Sequence, residues 1–166
     1  MIVAAAPDAP ASEFTIGTME GSYLEDLELG REFECGSFTL SEQEIIDFAR
    51  KFDPQPAHVD REFAARSPAG TVTASACHTL SVAIGIFARA AADCKLIAAL
   101  KFNTTEMPAP TVPGVRMRLV AKWTDKRESS SRPDRGIASW ELQAIREDGP
   151  VALRTGATIM MWRRPA

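Results

Sequence analysis

The longest apolar stretch of the chain runs from Thr71 to Ala92. Val72, Ala74, Ala76, Cys77, Leu80, Val82, Ala83, Ile84, Ile86, Phe87 and Ala88 fall on every side of a helical wheel, and no proline interrupts them. A helix that is apolar all round is a buried helix, so something must wrap it. The C-terminal half has the wrapping pattern. Val115, Met117, Leu119, Ala121 and Trp123 alternate with Arg116, Arg118 and Lys122, which is the period-two signature of a half-exposed strand. Ile137 to Ile145 repeats the theme, with Ala138, Trp140, Leu142 and Ala144 on one face. Asp148-Gly149 marks a tight turn, after which Val151, Leu153, Ala157, Ile159 and Met161 alternate again. Polar Thr124–Arg135 is expected to be a long loop between the first two of these strands.

Upstream, Ser41 followed by Glu44 forms a capping box. Ile45, Ile46, Phe48 and Ala49 supply the apolar face of a helix that continues through Arg50. Asp53-Pro54 ends it, because a residue before proline is pushed out of the α region. A short helix is expected over Arg61–Arg66, broken by Ser67-Pro68-Ala69-Gly70. Residues 1–20, rich in Ala, Pro, Ser and Thr, are expected to form a loose arm, and 21–166 a single domain. The order is a strand region, a capped helix, a buried helix and an antiparallel meander. That order predicts an α+β protein whose sheet curls around one long helix.

Composition narrows the function. Hydrophobic residues make up 45% and charged residues 25% of the chain, enough for an ordinary core without staples. The net charge of −3 provides no global field for nucleic acid, and a phosphate-bearing ligand must find a local basic patch. Cys35, Cys77 and Cys94 match no disulfide framework and no zinc spacing. With only His58 and His78 besides, no metal site is expected; the reading is of reduced thiols in a cytoplasmic protein. The N-terminus lacks a basic region, and no apolar run approaches the roughly 18 residues of a span, so neither a signal peptide nor a membrane partner is expected.

The segment Phe52-Asp53-Pro54-Gln55-Pro56-Ala57-His58-Val59-Asp60 is the chemical candidate. Two prolines flank Gln55 and hold Asp53 and Gln55 extended, so a carboxylate and an imidazole five residues apart stand on a stiff bracket. Such a pair can hold a water molecule between two hydrogen-bonding groups. The same pattern equally fits a proline-rich turn with an exposed Asp53 and a packed His58. Cys77 has no evident base beside it in the sequence to make it a nucleophile.

The segment resembles the hydratase motif of the MaoC-like dehydratases, which include the (R)-specific enoyl-CoA hydratases. Asp53, Pro56, His58 and Asp60 match the motif, with Gln55 where asparagine is usual. The resemblance continues in Ala69-Gly70-Thr71-Val72-Thr73-Ala74-Ser75-Ala76-Cys77-His78-Thr79, similar to the family's opening of the central helix, and in Ser131-Arg132-Pro133-Asp134-Arg135-Gly136. It spans Tyr23 to Pro165. It implies a hot-dog fold, a homodimer, and addition or removal of water across the Cα=Cβ bond of an acyl thioester. The substrate would be an acyl-CoA, with no separate cofactor. Asp53 and His58 would activate the water, and the Gly70 N–H would polarise the thioester carbonyl, although Gly70 also reads as a plain turn glycine. His78 matches a polar position near the pocket in some relatives and reads equally as a core histidine bonded to a backbone carbonyl. Arg132 and Arg135, with Lys126 and Arg127, are candidates for the CoA phosphates; Arg163 and Arg164 are rivals, and a solvated hairpin tip is the plainer reading. Pro113-Gly114-Val115 lacks the acid many relatives carry there, which bears on pocket shape. A hot-dog thioesterase would need an acid on the central helix, and Thr71–Ala92 has none. A non-catalytic thioester-binding subunit is the remaining alternative.

Overall fold

The computed structural model describes residues 13–19 and 21–165. Six strands form one antiparallel sheet: β1 (Glu13–Ile16), β2 (Glu32–Thr39), β3 (Leu96–Phe102), β4 (Met117–Glu128), β5 (Arg135–Arg146) and β6 (Val151–Trp162), in the order β1-β2-β4-β5-β6-β3. Helices α1 (Glu42–Phe52), α2 (Pro56–Val59) and α3 (Arg61–Ala65) precede the central helix α4 (Ala76–Ala90). The sheet wraps one side of α4, the hot-dog arrangement.

Local chemistry accounts for the boundaries. Ser41 caps α1 by accepting the Glu44 N–H at 3.2 Å, and Ile45, Ile46 and Ala49 are its buried face. The core is made where α4 meets the inward faces of the long strands. Ala83, Ile86 and Phe87 pack against Met117, Leu119, Trp123, Trp140, Leu142 and Leu153, all buried. The Phe87 ring lies 4.3 Å from that of Trp140 and 6.3 Å, edge-on, from that of Trp123, a geometry favoured by the ring quadrupoles.

Three expectations are corrected, and a fourth finding is a strand that the hydrophobic pattern did not mark. First, α4 begins at Ala76, because Ser75 accepts the His78 N–H and acts as its cap, while Thr71–Ser75 is extended or irregular. Second, the polar Thr124–Arg135 segment is strand over Thr124–Glu128 and again from Arg135, which leaves a shorter connection than expected. β4 bulges between Trp123 and Asp125 and then pairs on with β5 as far as Glu128 opposite Gly136. Past the bulge the β4 residues are mostly exposed while β5 remains paired on both sides, so apolar alternation stops in β4 although pairing does not. Third, Glu13–Ile16, assigned to the arm, pairs with β2, and Met19 is buried. The close approach of β1 needs Gly36 (φ 131°), where a Cβ would lie 2.1 Å from the Thr15 carbonyl oxygen. Residues 1–12 lie outside the described residues. Fourth, β3 had no alternating signature: all its residues but Ile97 are exposed, and its pairing to β6 shifts register twice.

No helix among the described residues is long and apolar enough to cross a membrane. Burial pushes the thiols of Cys35 and Cys94 up to about 11, whereas Cys77 is exposed. Since the thiolate is the reactive form, an aromatic disulfide reagent at neutral pH should label one thiol of the native protein, Cys77, and three after unfolding. Rapid labelling of two or more in the native state would contradict this packing.

Candidate active site

Asp53 ends α1. Its backbone N–H still reaches Ala49 O, but Pro54 forces it out of the helical region (φ −156°, ψ 71°). Pro56 occupies the first position of α2, where its missing N–H costs nothing. The expected extended bracket is therefore extended only through Gln55 (φ −71°, ψ 144°), and His58 sits on a single helical turn. Asp60 caps the next turn by accepting the N–H groups of Glu62 and Phe63, so its place in the motif is structural.

These turns bring the acid and the imidazole together. His58 Nε2 lies 3.9 Å from Asp53 Oδ2, with both side chains largely buried. That gap is too long for a direct hydrogen bond and short enough for one water molecule to touch both atoms. His58 Nδ1 sits 2.6 Å from the Thr73 carbonyl oxygen. A carbonyl only accepts, so Nδ1 carries the proton and, in the neutral ring, Nε2 presents its lone pair toward Asp53. The Gln55 amide donates to Asp53 Oδ1 at 2.8 Å, leaving Oδ2 for the shared water position.

Both groups open on a cleft of about 260 Å³, lined also by Ala74, Ala76, Thr79, Met107 and Thr111. Thr111 ties its walls together: its carbonyl accepts the Ala74 N–H at 2.8 Å and its hydroxyl accepts from Thr79 at 3.1 Å, both side chains buried. Ala76 is the first residue of α4. Ser75 satisfies His78 N–H through its side chain and Thr79 N–H through its carbonyl. The Ala76 N–H belongs to the first turn, which has no intrahelical acceptor, and Ala76 lines the cleft at the positive end of the helix dipole.

The other expected residues are elsewhere. Gly70 is exposed in the left-handed region (φ 68°), and its N–H is donated to Ser67 O at 3.0 Å, closing a turn. Gly70 does not line the cleft. The signal for the true start of α4 is Ser75, a good cap residue three positions before His78; starting the helix at Thr71 hid it. His78 faces away from the cleft, into a groove of about 530 Å³ between β1, α1 and α4. It is 3% exposed, stacked on Phe48 at 4.2 Å, and its Nδ1 has no hydrogen-bond partner, so the expected carbonyl bond is not at Nδ1. Arg132 and Arg135 lie at the tip of the β4–β5 hairpin. Arg135 makes a two-pronged bond to Asp134 and covers the Trp162 ring. Eleven residue steps at about 3.4 Å each place Arg135 roughly 37 Å along β5 from Arg146, which touches the cleft wall at Pro110 O. The structure thus does not bring Arg132 or Arg135 to the cleft of their own chain. Arg163 and Arg164 are at the same far end, paired with Glu25, Glu128 and Asp26.

Burial holds the His78 pKa below its usual value of 6.5. The unfolded chain therefore binds a proton that the folded chain resists. Its contribution to stability is intact above about pH 6.5 and declines as pH falls toward the lowered folded value. Melting temperature should drop between pH 7 and 5, and His78→Phe should flatten that slope; an unchanged slope would remove His78 as its source.

Comparison with known proteins gives the family and the fold. A 64-residue stretch is 33% identical to the uncharacterized protein YdeM of Bacillus subtilis, covering 39% of this chain and 45% of that one, less than half the relative's length. The crystal structure of a MaoC-like dehydratase from Rhodospirillum rubrum superposes with a TM-score of 0.79 at 31% identity, covering 88% of this chain and all of that one. An (R)-hydratase from A. caviae, described as involved in PHA biosynthesis, superposes at 0.64 and 21% identity over 84% of this chain and 98% of that one, a likeness of fold. The family model for the MaoC like domain matches residues 26–141, more than half of the sequence and inclusive of Asp53, His58 and Ala76, and the chain belongs to that family.

Proposed function

We propose that this chain is a hydro-lyase that adds water to, or removes it from, the Cα=Cβ bond of an acyl-CoA thioester, with Asp53 and His58 as its acid–base pair. The observation that carries the reading is the 3.9 Å gap between His58 Nε2 and Asp53 Oδ2, with each group turned by its own second hydrogen bond. In the hydration direction, water held between the two attacks Cβ while His58 Nε2 takes its proton. Electrons move onto the thioester oxygen, where the Ala76 N–H stabilises the enolate. The imidazolium then returns the proton to Cα, so one water is added and His58 is regenerated. Asp53 orients the water and balances the transient positive charge. This gives the Ala76 N–H the role first expected of Gly70.

The thioesterase alternative gains nothing here, since no acid lies on α4. Hydration of 2-enoyl-CoA, followed by loss of the conjugated-thioester absorbance, tests the reading; the related R. rubrum and A. caviae proteins carry dehydratase and hydratase descriptions that support it.

The working unit in this proposal is a homodimer joined through β3. That strand ends the sheet and exposes Leu96, Leu100 and Phe102 at 38%, 50% and 55%. An apolar free edge of this kind invites pairing. Light scattering at micromolar concentration should give twice the chain mass, and Leu100→Lys should halve it. A wild-type monomer would contradict the pairing.

A further inference from the structure

We propose that Met107 closes the acyl end of the cleft and limits the enzyme to short-chain 2-enoyl thioesters. This rests on the hydratase reading of the same cleft. The cleft lining combines polar Asp53, Gln55 and His58 with apolar Ala74, Ala76, Ala109 and Met107. If Cβ meets the water at Asp53 and His58 and the carbonyl oxygen meets the Ala76 N–H, the remaining acyl carbons meet the apolar part of that lining. Three of its residues are alanines, so Met107 is the long apolar side chain there, and it packs onward against the hydrophobic core.

The wall carrying Met107 is held at both ends. Glu106 and Arg154 exchange backbone hydrogen bonds at 2.9 Å each way, immediately before it. Beyond it, Arg146 donates to Pro110 O at 2.8 Å while gripping Asp148 with two further bonds. The depth of the cleft is therefore set by the Met107 side chain rather than by movement of its loop. The volume is about 260 Å³, below the roughly 300–1,000 Å³ of pockets that enclose drug-sized ligands. It takes the reacting thioester and a few carbons. The larger apolar groove on the outer face of α4 shares no lining residue with it, so a long chain finds no continuous path there.

The test is kcat/KM for crotonyl-CoA and its trans-2-hexenoyl, octenoyl and dodecenoyl homologues. A misfitting methylene in an apolar pocket typically costs tenfold or more, so the wild type should fall by at least about tenfold between crotonyl- and octenoyl-CoA. Met107→Ala should raise the octenoyl-to-crotonyl ratio by about tenfold, Met107→Leu, close in volume, should keep it, and Ala109→Leu, enlarging a second side chain of the same wall, should lower it. Thermal melts verify that each variant is folded, and Ala109→Leu carries the test if Met107→Ala is not. A wild type that accepts dodecenoyl-CoA as well as crotonyl-CoA overturns the inference, as does an unmoved ratio in folded Met107→Ala or Ala109→Leu. Absence of turnover with every homologue overturns the hydratase reading itself, which separates the two failures.

Discussion

Asp53→Asn and His58→Ala should each cut turnover of an enoyl-CoA by about 100- to 10,000-fold, the usual contribution of a positioned acid–base group. At 1.36 kcal/mol per factor of ten, that is a loss of about 3–5 kcal/mol in transition-state stabilisation. The structural cost is much smaller. Asparagine is nearly the shape of aspartate and can still meet the Gln55 amide through its oxygen. Removing the imidazole forfeits its hydrogen bond to Thr73 O, worth about 1 kcal/mol, in a domain whose total stability is of the order of 5–15 kcal/mol. Both variants should therefore purify folded and inactive. In the proposed mechanism the two groups hold one water, so their effects should not add: the double variant should be scarcely slower than the worse single one. Independent, multiplying losses would mean that Asp53 and His58 act at separate steps.

The second large effect is expected at Ala76, where a backbone group rather than a side chain is assigned the work. Replacing Ala76 with proline deletes the N–H. Proline is well tolerated at the first position of a helix, and it demands an extended residue before it. Ser75 is already extended, at φ −62° and ψ 157°, so the helix start need not move. Removing one oxyanion-type donor typically costs 100- to 1,000-fold in kcat. Ala76→Pro should lose that much with little change in melting temperature, whereas Gly70→Ala, which strains an exposed turn remote from the cleft, should affect stability more than kcat. The reverse pattern would return the donor role to Gly70.

The sequence made the core plain and the edges obscure, for physical reasons. Alternation along β4, β5 and β6 and the apolar run of α4 report burial, and burial is what the hydrophobic pattern encodes. Pairing without burial leaves no such trace, which is why the outer half of β4 and the exposed edge strand β3 were not legible. Asp53 and His58 could be singled out because the chain itself joins them through two prolines over five residues. The rest of the cleft could not. Ala76 comes from the start of α4 and Met107 and Thr111 from the segment between β3 and β4, and they meet only through packing and the Thr111 bonds to Ala74 and Thr79. Nothing in the spacing of Arg132 and Arg135 shows that β5 carries them to the far end of the sheet, away from the cleft of their own chain.

The most direct test of the assignment is a comparison of folded wild-type, Asp53→Asn and His58→Ala proteins in hydration of crotonyl-CoA, read as loss of the conjugated-thioester absorbance. Saturable turnover by the wild type that falls at least 100-fold in both variants is the expected result. Near-normal turnover in either folded variant, or none by the folded wild type with crotonyl-CoA or any longer enoyl-CoA, would contradict it.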